Sequence, residues 1–298
     1  MTVEEVAVIG FGTMGTGIAQ LLAQTGFSVW VVDLDEEILQ RGLELVKTGR
    51  FGLERAVQRG KLKPAEAEEA IRRMKTTTNL EEAVKRADYV IENVFEDMEL
   101  KKQVFSQLDS ICPPDTILAS DTSVMSITEI ASAVHRPERV VGMHFFNPAQ
   151  VMKLVEVIRG VLTSQKTVDL TVELTRRVGK TPILVKDTPG FAAARLGLVQ
   201  FLEASKILDE GVASVADVDT AMKLGFGHPM GPFELSDLIG LDVRLDILRS
   251  IYEATGDPAW KPPWLLRQLV SSGYVGDPKF KKGSRGGYYD YFNLSREG

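Results

Sequence analysis

Up to Thr188, short apolar runs alternate with stretches whose apolar positions recur every three or four residues. Val6-Ala7-Val8-Ile9 stops at Gly10 and predicts a strand buried on both faces. Between Gly15 and Thr25, Ile18, Leu21 and Leu22 share one helical face, and Gly26 ends that helix. Ser28 to Val32, β-branched and aromatic, predicts a second strand that ends at Asp33. Helical patterns follow over Asp35 to Thr48, Gly52 to Arg59 and Pro64 to Arg73, the proline suiting a first helical position. Strand-like runs recur at Tyr89 to Asn93, Thr116 to Ala119, Val140 to His144, Leu154 to Ile158 and Ile183 to Val185. Helical stretches near Met98 to Leu108, Ser126 to Val134 and Thr167 to Val178 separate them. Such alternation predicts an α/β unit, a mostly parallel sheet with helices on both faces.

After Asp187-Thr188-Pro189-Gly190 the pattern changes. Phe191 to Asp209 reads as one long apolar helix closed by Gly211, and so apolar a helix is usually buried between neighbours or in a subunit interface. Ser214-Val215-Ala216-Asp217 resembles a capping box, and Leu235 to Tyr252 and Trp264 to Val270 continue the helical periodicity. The next strand-like run is the aromatic Tyr288 to Phe292. A boundary near Thr188 therefore separates residues 1–187 from an all-helical C-terminal domain, 188–298.

Length agrees, since 298 residues suit two domains. The 35 Lys and Arg against 41 Asp and Glu give a net charge of −6, which argues against nucleic acid as a partner. No apolar stretch reaches the roughly 18 to 20 residues that cross a bilayer, so no membrane partner is expected. The amino terminus carries an acidic pair, Glu4-Glu5, where a signal peptide would be basic. The single cysteine, Cys112, can make no intrachain disulfide, and no cysteine cluster offers a metal site. A reduced, cytoplasmic protein is expected.

The first strand–helix junction carries chemistry. Gly10-Phe11-Gly12-Thr13-Met14-Gly15 matches G-x-G-x-x-G between a predicted strand and a predicted helix. Gly10 permits the tight turn, Gly12 lets the backbone approach a pyrophosphate, and Gly15 lets helix and sheet pack closely. The N–H groups of Thr13, Met14 and Gly15 would then meet the phosphates. Asp33, 18 residues beyond Gly15, stands where a carboxylate takes the adenine ribose hydroxyls. A 2′-phosphate would meet its charge, so NAD is favoured over NADP. The first domain is expected to be a Rossmann-type dinucleotide-binding unit.

Three histidines are the candidates for a base at neutral pH. His135 lies in a turn with Arg136-Pro137 and reads as solvated; His228, among prolines and glycines, reads as structural. His144 closes a strand at the end where open α/β sheets bind ligands. Glu156, twelve residues on, stands inside an apolar strand, a costly place for an unpartnered carboxylate. A Glu paired to the ring would stabilise an imidazolium and orient it. The residues alone leave a catalytic and a structural His–Glu pair equally open.

Gly10 to Ala19, Ser120-Asp121-Thr122-Ser123, His144 to Pro148 with Val151 to Glu156, Asp187 to Phe191, and Met222-Lys223-Leu224-Gly225 through Gly240-Leu241-Asp242 together resemble the L-3-hydroxyacyl-CoA dehydrogenase family, and within it the bacterial 3-hydroxybutyryl-CoA dehydrogenases. The resemblance spans nearly the whole chain in order. It implies a hydride transfer between NAD and a short-chain 3-hydroxyacyl-CoA, with no metal, in a homodimer formed through the helical domain. Under it His144 is the general base, Glu156 its orienting partner, and Ser123 the donor to the substrate oxygen. Asn147, Glu96 and Lys101 fall where the family contacts NAD. The basic cluster Arg50, Arg55, Arg59, Lys61 and Lys63, above all Arg55, Arg59 and Lys61, suits the phosphates of an acyl-CoA. Blander readings stand beside these: Ser123 as a helix-start cap, Glu96 and Lys101 as a solvated helix pair, the cluster as a solvated face. Three places depart from the family's pattern: Asp121 and Val124 in the serine motif, Ala194 where an Asn usually precedes Arg195, and a basic, glycine-rich tail that matches only approximately. A dehydrogenase of a free hydroxy acid, or a catalytically silent NAD-binding protein, would share the scaffold.

Overall fold

The computed structural model describes residues 2–296. The chain divides into two compact units, Met1–Thr188 and Pro189–Gly298.

The first unit is built on eight strands: β1 (Glu5–Ile9), β2 (Ser28–Val32), β3 (Met74–Thr77), β4 (Tyr89–Glu92), β5 (Ile117–Ser120), β6 (Val140–Phe145), β7 (Leu154–Arg159) and β8 (Thr181–Lys186). They lie in the order β3-β2-β1-β4-β5-β6-β7-β8. Every pairing is parallel except β6 with β7. Helices α1 (Thr13–Gln24), α2 (Glu36–Thr48), α3 (Leu53–Gln58), α4 (Pro64–Arg72), α5 (Leu80–Val84), α6 (Met98–Ile111), α7 (Ile127–Ala131) and α8 (Gln165–Arg177) connect them. This is the Rossmann-type α/β unit expected.

The central strands are apolar throughout because helices cover both faces; Val6, Val8, Val29, Val31, Tyr89 and Ile91 are all buried in one core. Caps fix where helices begin: Asp35 accepts the Ile38 N–H at 2.8 Å to start α2, and Ser164 accepts from Thr167 to start α8. Two elements of this unit escaped the sequence, the short helix α5 and an edge strand. Met74-Lys75-Thr76-Thr77 forms the edge strand β3, whose half-polar pattern gives no buried-strand signal.

The second unit is helical among the described residues: α9 (Ala193–Asp209), α10 (Val215–Thr220), a π-helical turn at Ala221–Gly225, α11 (Pro232–Ile239), α12 (Leu241–Thr255), α13 (Trp264–Ser271) and α14 (Tyr288–Tyr291). Its core gathers Leu198, Leu245 and Leu248 around Phe201, Phe233 and Tyr288, whose rings pack 4.7 to 6.2 Å apart. Three expectations need correction. The run at Tyr288 is helix, not strand, because the buried Asp237 carboxylate accepts the Tyr288 and Tyr289 N–H groups and Asp290 accepts from Gly287. The single helix expected over Leu235 to Tyr252 is two, broken at Gly240 (φ +114°), where a side chain would collide with Lys281. The long helix begins at Ala193, since Phe191 adopts φ +47°; Leu198 and Phe201 on it are buried, but Leu196 and Val199 are 70% and 53% exposed. No helix among the described residues is long and apolar enough to cross a membrane.

Candidate active site

The glycine loop joins β1 to α1. Gly10 has φ +93°, and a Cβ there would lie 2.7 Å from the Asn93 carbonyl oxygen. A Cβ on Gly15 would sit 1.9 Å from the Gly10 carbonyl oxygen, so helix and loop touch there. At Gly12 nothing lies within 4 Å, leaving an open approach to the backbone. Gly12 is also the N-cap of α1, and no side chain caps that terminus or puts negative charge in its first turn. Thr13 is exposed and Met14 half-buried. Asp33 follows β2 directly, with Oδ2 accepting the Phe11 N–H at 2.6 Å and Oδ1 accepting from Leu34 at 2.7 Å, which ties its carboxylate to the loop. Uncapped N–H groups, a side-chain-free approach and an anchored carboxylate fit a dinucleotide.

Across the sheet, the antiparallel reversal of β7 sets His144 directly opposite Glu156. His144 Nδ1 lies 2.8 Å from Glu156 Oε2, the Glu side chain fully buried and the His side chain 10% exposed. A carboxylate in an apolar strand is tolerable there because the ring partners it. The Phe146 ring packs 4.6 Å from the imidazole, and Asn147 lies exposed in the following turn.

A second polar cluster sits at the ends of β4 and β5. Glu96 accepts from Ser123 N at 2.7 Å, Ser123 Oγ at 3.1 Å and Thr122 Oγ1 at 2.9 Å. Ser123 caps no helix; Ser126 does, for α7. Lys101 is not part of a solvated pair. It is 1% exposed on α6, its Nζ donating to Glu92 Oε1 at 2.7 Å and to the Val94 carbonyl, with Glu96 at 3.5 Å. Glu92, fully buried, also accepts from Ser120 Oγ and Val94 N. The sequence reading did not single out Glu92, although its place in an apolar strand carries the same signal as Glu156. Asp121 accepts the Phe145 N–H at 2.7 Å.

Arg50, Arg55, Arg59, Lys61 and Lys63 are exposed, Arg50 before α3, Arg55 on it and the others after it. Beside them α2, α3 and α4 border a groove of about 670 Å³ lined by Leu53, Val57, Ala67 and Ile71 together with Lys47 and Arg72. Ala194 lies in the first turn of α9.

A family model described as "3-hydroxyacyl-CoA dehydrogenase, NAD binding domain" matches residues 5–188, and one described as "3-hydroxyacyl-CoA dehydrogenase, C-terminal domain" matches residues 190–291. The chain belongs to the 3-hydroxyacyl-CoA dehydrogenase family. It is 45% identical to the probable 3-hydroxybutyryl-CoA dehydrogenase of Bacillus subtilis, over 98% of each chain. With the 3-hydroxybutyryl-CoA dehydrogenase of Clostridioides difficile it shares 44% identity over 96% of this chain and 99% of that one. The solved (S)-3-hydroxybutyryl-CoA dehydrogenase of Ralstonia eutropha matches with a TM-score of 0.90 at 39% identity, covering 95% of this chain and 99% of that one. NAD is thus the cofactor of this family member, an oxidoreductase, and the glycine loop and Asp33 are built as such a cofactor requires.

Proposed function

We propose that the protein interconverts a short-chain L-3-hydroxyacyl-CoA, 3-hydroxybutyryl-CoA in the first instance, and its 3-ketoacyl-CoA, with His144 as general base. The observation that carries this reading is the His144–Glu156 contact at 2.8 Å, a base held by a fully buried carboxylate at a sheet end. Bound NAD supplies the hydride acceptor in oxidation and, as NADH, the donor in reduction. Nδ1 is committed to Glu156, so proton exchange with the 3-hydroxyl falls to Nε2. In oxidation the O–H proton passes to Nε2 while C3 loses its hydride and the C–O bond becomes C=O. In reduction the imidazolium returns the proton to the oxygen. Glu156 fixes the ring and balances the charge it gains.

Ser123 steadies the substrate oxygen. Its hydroxyl has one proton, which in the structure goes to Glu96, so it must rotate to serve a substrate. The Ser123 N–H bond to Glu96 holds the residue while it does so. Glu96, Lys101 and Asn147 are assigned to the cofactor's side of the site, Lys101 acting through the carboxylates it neutralises. Gly10, Gly12, Thr13, Met14 and Gly15 take the pyrophosphate, and Asp33 the adenine ribose. Arg55, Arg59 and Lys61 are exposed cations suited to the phosphates of coenzyme A. We assign cofactor binding to the first unit, and dimerisation and substrate binding to the second, where Leu196 and Val199 leave an apolar face on α9. A cytoplasmic setting accords with a buried thiol, Cys112, whose pKa burial pushes up to about 12.

The test is NADH oxidation with acetoacetyl-CoA, run beside acetoacetate and longer 3-ketoacyl-CoAs. Turnover of the thioester but not the free acid is expected. His144→Ala should lower kcat by roughly 10²- to 10⁴-fold, the usual contribution of a positioned base, with NADH binding kept. Activity within about threefold of the parent would remove His144 from the mechanism.

A further inference from the structure

The ladder between β5 and β6 stops early. It runs through Leu118↔Val140, Ala119↔Val141 and Ser120↔Gly142, and then β5 leaves the sheet at Asp121. Strand β6 continues through Met143, His144 and Phe145, still paired on its other side with β7. The Phe145 N–H points to where β5 would have gone, and a buried amide without an acceptor is costly. Asp121 Oδ1 accepts it at 2.7 Å. Asp121 is itself held from behind, its own N–H donating to the Glu92 carbonyl at 2.9 Å. A side chain thus replaces the main-chain carbonyl that the ladder lacks, one residue beyond His144.

We infer that Asp121 is a positioning residue for the His144 base: by completing the β5–β6 ladder with its carboxyl oxygen, it fixes the strand end that sets the imidazole against Glu156. The inference rests on the reading of His144 as the base. The two carboxyl groups hold the β6 end from opposite sides, Asp121 through the Phe145 amide and Glu156 through the ring itself. What Asp121 must supply is an acceptor oxygen, not a charge. Its surroundings are already rich in carboxylates: Glu92 on β4 and Glu96 beyond it, with Lys101 on α6 as the facing cation, and the His144–Glu156 pair on β6 and β7. Burial raises the Asp121 carboxyl well above the ordinary carboxylate range, the Phe145 amide opposing this and the charges of Glu92 and Glu96 adding to it. A neutral carboxyl accepts through its C=O oxygen, as an Asn side chain does.

The experiment compares Asp121→Ala and Asp121→Asn with the parent in NADH oxidation by acetoacetyl-CoA and in the reverse reaction, across pH. Loss of the acceptor in Asp121→Ala should lower kcat by roughly tenfold, the scale set by a small misplacement of a catalytic group, with KM and NADH affinity within about twofold. The acid limb of kcat/KM for oxidation should move as well, because the ring no longer sits squarely on Glu156. Asp121→Asn should restore kcat to within about threefold of the parent and return the limb to its place. If Asp121→Ala does not fold, Asp121→Ser, whose hydroxyl stops short of the Phe145 amide, takes its place under the same criteria. Parent-like kcat in the Ala or Ser variant overturns the inference. So does a lowered kcat with an unmoved limb, or failure of Asp121→Asn to restore it. His144→Ala is assayed alongside: if it is parent-like, the reading of the base has failed, and if it is inactive while Asp121→Ala is parent-like, only the positioning role has.

Discussion

Replacing Glu156 with Gln removes one charge from the heart of the site and almost no volume. The Glu156 carboxylate is fully buried and 2.8 Å from His144 Nδ1, so the contact is a charge-assisted hydrogen bond out of reach of bulk water. Such bonds are worth roughly 1.5 to 3 kcal/mol. A neutral amide partner keeps part of that, so the imidazolium should lose about 1 to 2 kcal/mol relative to the neutral ring. The result is a shift in the pH dependence of the reaction. Its sign follows from which form is lost. Less stabilisation of the protonated ring means that it gives up its proton at lower pH. With His144 as the proposed base, oxidation of 3-hydroxybutyryl-CoA needs the neutral ring, so the acid limb of its kcat/KM profile should move down. Reduction of acetoacetyl-CoA needs the imidazolium, so its activity should begin to fall at a lower pH than in the parent. A less basic ring should also turn over roughly three- to tenfold more slowly on the oxidation plateau. Both profiles come from NADH absorbance at saturating cofactor, with thermal unfolding to confirm that the variant is folded. Limbs unmoved in both directions would refute the pairing as a device for proton transfer.

Asp33→Ala should weaken NAD binding and narrow the preference for NAD over NADP, measured as the ratio of kcat/KM values; an unchanged ratio would show that the carboxylate only anchors Phe11 in the glycine loop. At the other end of the sheet, burial raises the Asp109 carboxyl, but the His135 amide and the Arg139 guanidinium outweigh it and hold its pKa at about 2, against 3.8 for the ordinary group. A carboxyl depressed in the folded state contributes stability that is fully present above pH 3.8 and lost as pH falls through about 2. Asp109→Asn should therefore lose about 2 kcal/mol at pH 7 in urea unfolding and flatten the fall in Tm between about pH 4 and 2. Parallel Tm curves for the two proteins would contradict it.

Most of the legible strands are buried along nearly their whole length. Val6 to Ile9, Ser28 to Val32 and Tyr89 to Glu92 are apolar at nearly every position because they are buried, only Ser28 and Trp30 being partly exposed. At the sheet's edges that condition fails: β8 stayed legible through the apolar Ile183 to Val185 although it is partly exposed, whereas β3, with Lys75 exposed, looked like nothing in particular. The helical half misled for a different reason. Periodicity reports which face is apolar, not where a helix stops, and Gly240 interrupts a pattern that runs on unchanged from α11 into α12. The Tyr288 run was misread because aromatic residues favour strands on average, whereas here two carboxylates, Asp237 and Asp290, collect the N–H groups of a helical turn. Asp237 lies some fifty residues away, and no local pattern announces it.

The site was legible where its signal was a cost. A carboxylate inside an apolar strand demands a partner, and Glu156, conspicuous in its strand, finds it in His144. The same demand existed at Glu92, and followed there it leads to Lys101, nine residues on and buried with it, in place of the more exposed Glu96. Proximity in sequence favours the wrong partner, because Glu96 stands five residues from Lys101 and Glu92 nine. Asp97 caps α6, which leaves Glu96 outside the helix. Asp121 belongs to a third kind. A polar residue after an apolar strand is what any loop shows, and its value depends on where β5 stops while β6 runs on, a property of register between strands that meet twenty residues apart. Costs intrinsic to one strand can be read from one strand; a missing rung in a ladder can be read only when both rails are in place.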